Sequence, residues 1–218
     1  MAVSNSRDFD IDVSDVIEEA YERCGVEPRT GYSLRTARRS INLMLAEWAN
    51  RGVNLFTVQQ VTTTLTEGTS SYSLGTDTID ILEMVLRRSG TDTTMSRIGR
   101  GEYLNIPTKS DKGKPSQFFV DRQVNPTVNL WQTPENSTDQ IVYYRLVRID
   151  DADTYKNNFD MPFRFLPCLV AGLAYYLSMK IAPDRVSLLK SVYDEEFARA
   201  ASEDRDRASL RLVPRIIS

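Results

Sequence analysis

Apolar residues in this chain recur at helical spacing, then at every second position, then at helical spacing again, and that double change of period dictates the fold class. Val13, Val16, Ile17, Ala20, Tyr21 and Cys24 repeat at i, i+3, i+4 and predict a helix over about 14–24. Gly25 is its stop, and Asp12 or Ser14 can accept the first orphan backbone N–H groups. After the loop VEPRTGY, Leu34, Ala37, Ile41, Met44, Leu45 and Trp48 predict a second helix over about 33–50, with Gly52 just past its end. Two short amphipathic helices joined by a Pro/Gly loop read as a helical hairpin.

Residues 53–150 break the helical pattern with clusters of Thr, Val, Tyr and Phe separated by turn signals. Val61, Thr63 and Leu65 fall on one face of an extended segment, Thr62 and Thr64 on the other. Further strands are expected at 72–74, 117–122, 127–132 and 139–149. The run IDILEMVLRR (79–88) fits strand or helix by spacing and is read as strand because turns bound it closely. One helical turn is expected at 101–106 before Pro107, and TKSDKGKPS reads as a polar, mobile loop. Helix returns after Pro162: the segment 163–181 is apolar on nearly every side, with Ala171, Gly172 and Ala174 small enough for neighbours to approach. Pro183 stops it, and Asp184 is read as the cap of a last helix to about 211, with Val186, Leu189, Tyr193, Phe197, Ala200 and Ala201 as its inner stripe. Glu195, Arg199, Glu203, Arg207 and Arg211 form its solvent-side row. The expected architecture is α+β: a four-helix bundle of two N-terminal and two C-terminal helices (1–52 and 155–211), an inserted antiparallel β domain (53–150), and an extended C-terminal tail (212–218).

Composition removes most enzymes. Among 218 residues there is no histidine, so Ser–His–Asp and Cys–His nucleophilic sites, histidine zinc sites and imidazole acid–base chemistry are excluded. The two cysteines, Cys24 and Cys168, are too far apart in sequence for a CxxC pair, and a reducing compartment is the default. The start of the chain, MAVSNSRDFDID, reads as polar and acidic rather than as a secretory leader. The uncharged run 165–179 is shorter than the roughly 20 residues that span a bilayer. Net charge is −3, against the basic surface of a dedicated nucleic-acid binder.

Several local patterns imitate sites. Asp8, Asp10, Asp12 and Glu19 stand at calcium-loop spacing, but Val13 occupies the position where the loop needs glycine, so the stretch reads as an acidic helix N-terminus. Gly113-Lys114 is followed by Pro115, and Gly99-Arg100-Gly101 lacks a third glycine, so neither makes a phosphate loop. Thirty acids offer some carboxylate pair in any fold, and no spacing selects one. Phe118, Phe119, Trp131, Tyr143 and Tyr144 fit a stacking platform or a β core. Arg35, Arg38 and Arg39 occupy the polar side of the second helix and fit a solvated face or a contact with an acidic partner or nucleic-acid backbone. Leu212, Val213, Ile216 and Ile217 would cost free energy if left wet; they either fold back on the bundle or insert into another subunit. No catalytic, cofactor or metal residue is assigned.

The runs INLMLAEWANRGVNLFTV (41–58), SYSLGTDTIDILEMVLRR (71–88), GKPSQFFVDRQ…VNLWQTP (113–134) and LAYYLSMKIAPDRVSLLKSVYDEEFARA (173–200) resemble, in that order and spacing, the head-to-tail adaptor proteins of short-tailed bacteriophages, also called tail tubular or packaged-DNA-stabilisation (head-completion) proteins. The resemblance covers about 14–210. It implies a non-enzymatic homo-oligomeric ring, usually a dodecamer, in the virion at the head-tail junction, assembled in the host cytoplasm, with no membrane partner. Such a ring docks under the portal, extends the DNA channel without sequence-specific binding, takes part in DNA ejection and offers a platform to the tail nozzle. It places Leu210, Leu212, Val213, Pro214, Arg215, Ile216 and Ile217, with the final helix, against the portal, and residues 53–150 toward the tail. Glu47 and Trp48 match a helix-end motif in which Trp48 packs. The alternatives are a cell-wall-directed carbohydrate-binding protein or weak peptidoglycan hydrolase, and a DNA-binding protein using Arg35–Arg39.

Overall fold

A computed structural model of the protein describes residues 11–27, 31–52 and 55–204. Its helices are α1 (Val13–Cys24), α2 (Gly31–Asn50), α3 (Arg100–Asn105), α4 (Leu166–Ile181) and α5 (Val186–Glu203). Its strands are β1 (Val58–Thr64), β2 (Ser71–Ser73), β3 (Thr78–Arg88), β4 (Thr91–Thr94), β5 (Ser96–Arg97), β6 (Lys112–Gly113), β7 (Gln117–Asp121), β8 (Thr127–Trp131), β9 (Thr133–Pro134) and β10 (Gln140–Val147). Contacts divide the chain between Phe56 and Thr57, and again between Arg148 and Ile149, into a helical unit and a β unit.

In the helical unit α1 starts where Asp12 accepts the Asp15 N–H at 2.9 Å and the Ser14 hydroxyl at 2.7 Å. It ends at Gly25, whose φ of 74° only glycine adopts without strain; there the Gly25 and Val26 N–H groups close on Glu22 and Tyr21. Helix α4 is apolar all round and buries Cys168, Leu169, Ala171, Leu173, Ala174 and Leu177. A helix with no polar face cannot sit at a surface, and α1, α2 and α5 gather around it. Gly172 sets the closest approach: a Cβ there would lie 2.3 Å from Met44 Sδ and 2.9 Å from Tyr193 Cε2. A 3-10 turn, Phe163–Phe165, leads into α4, and a second, Pro183–Arg185, leads into α5. Asp184 lies inside that second turn and does not cap α5; the cap position is Arg185, with no side-chain cap bond.

In the β unit two four-stranded sheets share one core. One sheet runs β1-β10-β3-β4, antiparallel throughout, and the other β2-β8-β7-β5. Ile81, Met84, Leu86, Ile141 and Tyr143 from the first meet Phe118, Val120, Val128 and Leu130 from the second. The opening strand and the closing strand are direct partners, with Val58 opposite Leu146. In β3 the buried positions Thr78, Ile81 and Met84 are three apart, whereas Met84 and Leu86 are two apart. The ladder explains the change: Glu83 faces Tyr144 and Ile81 faces Arg145, so Leu82 is an extra residue bulged to solvent, and Asp80 faces Leu146 while Thr78 faces Val147, so Ile79 is a second extra residue. The Arg88 guanidinium grips Asp139, whose side chain is 3% exposed, with N–O distances of 2.6–3.0 Å, and reaches Glu135 at 2.8 Å.

A four-helix bundle with an inserted antiparallel β domain is therefore not what forms. Among the described residues there are five helices and ten strands in three sheets. The helices surround α4 instead of forming a square array, because a helix apolar on every side accepts neighbours on every side. The β region holds its own helix, α3, and two parallel pairings, β5 with β7 and β6 with β9. The stretch read as a loop supplies β6.

Candidate interaction surfaces

At the end of α2, Trp48 is fully buried; its ring lies 5.8 Å from Phe165 and 6.1 Å from Phe197, and its indole N–H donates to the Tyr193 hydroxyl at 2.8 Å. Tyr176 donates to Glu47 at 2.6 Å, Glu47 pairs with Arg51 one turn on, and the Arg51 guanidinium stacks 4.5 Å over Phe197. Burial pushes the Tyr193 phenol up to about 12, and burial with the Glu47 carboxylate raises that of Tyr176. Burial likewise pushes the Cys168 thiol up to about 12 and raises Cys24, whose Sγ–H donates to the Ala174 carbonyl. Thiols held protonated in apolar surroundings are neither nucleophiles nor metal ligands. The cluster is packing with its polar atoms satisfied. Glu47 and Arg51 are visible as an i,i+4 pair in sequence, but nothing local signals their link to Tyr176.

The three arginines of α2 separate by role. Arg38 donates to the Asp153 carbonyl and lies 5.9 Å over the Tyr155 ring, which ties it to its own chain. Arg35 and Arg39 are exposed and make contacts one turn back, to the Gly31 carbonyl at 3.3 Å and the Thr36 hydroxyl at 3.5 Å. Lys180 of α4 donates to the buried Ser40 hydroxyl at 2.7 Å; desolvation and then Arg39 hold its ammonium below the usual lysine range. Arg35, Arg39, Leu43, Ala46 and Asn50 form one exposed stripe along α2, and Leu43 is 65% exposed.

A groove of about 680 Å³ runs between α1 and the start of α4. Ile11, Val16, Phe163, Leu166, Pro167 and Val170 make its walls, and Asp15, Glu19 and Arg23 stand along its α1 rim. Glu19 and Arg23 pair at 2.8 Å. Residues 11–23 and 163–170 come together only through the fold, so no sequence pattern marks this feature.

The imitation sites resolve into structure. Asp12 is the α1 cap, and Asp8 and Asp10 lie outside the described residues. Among the described residues no three His, Cys, Asp or Glu side chains gather to hold a metal ion. At Gly99 the backbone N–H donates to Glu102 at 2.7 Å, so the protein's own carboxylate sits at the α3 N-terminus. At Gly113 the end of the Gln132 side chain lies where a Cβ would be, 2.3 Å from it. Of the aromatic set, Phe118 and Tyr143 are core; Trp131 donates to the Thr108 carbonyl at 3.4 Å; Tyr144 accepts from Gln60 at 3.1 Å; Phe119 stacks on Tyr103 at 5.4 Å. These residues form no common platform. Leu210, Leu212, Val213, Pro214, Arg215, Ile216 and Ile217 lie outside the described residues. No described helix is long and apolar enough to cross a membrane.

A family model described as SU10 adaptor protein matches residues 11–215 of the chain. No curated protein matches it. The match supports the head-to-tail adaptor reading at that level, while the narrower short-tailed group stays an expectation.

Proposed function

We propose that this chain, which belongs to the SU10 adaptor protein family, works as a ring-forming structural connector at the head-tail junction of a phage virion. The observation that carries the reading is the family match over residues 11–215, which takes in both structural units. In the proposed ring each subunit offers one face to the opposite face of its neighbour, as a closed heterologous assembly requires. The exposed α2 stripe, with Leu43 at its middle, and the outer face of α5, where Leu188 is 66% exposed, are the surfaces of the helical unit suited to that contact. Residues 210–217 and the final helix meet the portal, and the β unit faces the tail nozzle. Twelve copies assemble in the host cytoplasm and line a channel through which DNA passes. A net charge of −3 suits such a channel, because phosphate contacts create affinity and a passage must not hold its cargo.

Negative-stain imaging of the purified chain mixed with its portal tests the proposal. The expected result is a ring of chain density seated on the portal, lost when residues 212–218 are deleted. A chain that never joins a closed assembly refutes it. So does one that clears peptidoglycan and loses that activity on substitution of a single carboxylate, or one whose main property is DNA affinity falling steeply with salt.

A further inference from the structure

We propose that in the free subunit the groove between α1 and α4 is filled by the chain's own C-terminal segment, residues 205–218. The inference concerns the unassembled chain and stands or falls independently of the partner proposed above.

Where the described chain ends is the first argument. Asp204 follows α5, and its carboxylate accepts from Arg164 at 2.9 Å, with the Asp204 side chain 1% exposed. Arg164 lies next to Phe163 in sequence and two residues before Leu166, both of which line the groove. The segment therefore leaves from a point tied to Arg164, one residue along the chain from the groove-lining Phe163, and its residues reach about 45 Å when extended. The groove needs less: Ile11 to Arg23 along α1 is about 18 Å, which five or six extended residues span.

Chemical fit is the second argument. Pro214 rules out a helix through the middle of RLVPRIIS, so the segment meets a surface in extended form. At period two, Leu210, Leu212, Pro214 and Ile216 share a wholly apolar side, while Arg211, Val213, Arg215 and Ile217 share a mixed one. An apolar side fits the apolar walls of the groove, and along its rim Asp15 and Glu19 outnumber Arg23, which pairs with Glu19 at 2.8 Å, so the rim keeps a net negative charge for the arginines. The segment carries four arginines against one aspartate, whereas the acids of α1 (Asp15, Glu18, Glu19 and Glu22) outnumber its one arginine. Residues 1–10 adjoin the groove-lining Ile11 in sequence, but they carry two aspartates against one arginine and so bring no net positive side-chain charge to the rim.

Docking in this way covers aliphatic side chains that would otherwise face water until a binding partner takes them up.

Cross-linking on the full chain tests this. Asp15→Cys with Ile216→Cys places one thiol on the rim and one on the segment, and Ala46→Cys with Ile216→Cys is the control on the α2 stripe. The native thiols at Cys24 and Cys168 are buried and held protonated. With a short bis-maleimide, the first pair is expected to close within monomers several-fold faster than the control, at a rate independent of protein concentration. Adding Leu212→Asp or Glu19→Lys should slow closure several-fold. Equal rates for both pairs overturn the proposal. Cross-links between chains that rise with concentration identify a second copy as the occupant and also overturn it. Closure that appears only after residues 1–10 are deleted assigns the groove to the N-terminal segment, with the same consequence.

Discussion

Replacing Gly172 with alanine adds a single methyl group, at the tightest point of the helical unit. The new Cβ would sit 2.3 Å from Met44 Sδ and 2.9 Å from Tyr193 Cε2. Neither neighbour moves freely: Met44 is fully buried, and Tyr193 is fixed by stacking on Tyr175 and by the bond from Trp48. Overpacking of this kind costs about 1–3 kcal/mol. Alanine in place of glycine inside a helix returns about 1 kcal/mol, so Gly172→Ala should destabilise the helical unit by up to about 2 kcal/mol. Gly101→Ala in α3 of the β unit is the control, since a Cβ there meets nothing within 4 Å; followed through Trp131 in a chain that keeps both tryptophans, it should gain about 0.5–1 kcal/mol. The chain's two tryptophans lie one in each unit, so urea unfolding in a Trp131→Phe background reads the helical unit through Trp48 alone. A double-mutant cycle with Met44→Ala should show favourable coupling, because the smaller side chain vacates the space the methyl needs. A Gly172→Ala protein at least as stable as the parent would refute the reasoning, showing that the Met44–Tyr193 wall yields at no cost.

The helical unit should lose stability in alkali. Tyr193 and Cys168 are held near 12, above ordinary values of 10.0 and 9.0, and Tyr176 is raised as well, so above those ordinary values the unfolded chain releases protons that the folded one keeps. Stability is then complete below about pH 9 and falls with rising pH by about 1.4 kcal/mol per unit for each such group; Trp48-monitored urea midpoints at about pH 8 and about pH 11 check this, and equal midpoints contradict it. Tyr193→Phe strands the buried Trp48 N–H and should cost about 1–3 kcal/mol, measured the same way. In the β unit, Asp139→Ala leaves Arg88 without its bidentate partner. The expected loss is about 2–4 kcal/mol, less than for a fully buried pair because Arg88 is one-third exposed; a Trp131-reported transition should shift while the Trp48 transition stays in place.

Elements whose determinants are local could be read from the sequence. Asp12 and Gly25 bracket α1, and the unbroken apolar run of α4 announced its burial. The arrangement of the helices was not legible for the same reason that burial was: a helix apolar on every side does not say which neighbour it faces, so a bundle was expected where a hub forms. Asp184 looked like a cap because it follows Pro183, yet the chain makes a 3-10 turn first and starts α5 without a side-chain cap. In β3 the bulge at Leu82 puts buried positions three apart, which imitates helical spacing until the partner strand is known. The groove draws its walls from stretches some 150 residues apart, and Arg38 looked available until the Asp153 carbonyl and the Tyr155 ring came to meet it. Single-sequence periodicity records which side of an element is apolar, and such encounters lie beyond its reach.

The pairing of Val58 with Leu146 makes the first and last strands of the β unit adjacent rungs of one ladder. A module whose two ends emerge side by side can be excised and the gap bridged by a few residues, or another module with the same end spacing can be grafted in its place. Exchanging this portion wholesale would leave the residues packed around Gly172, Met44 and Tyr193, untouched, because they belong to the helical unit.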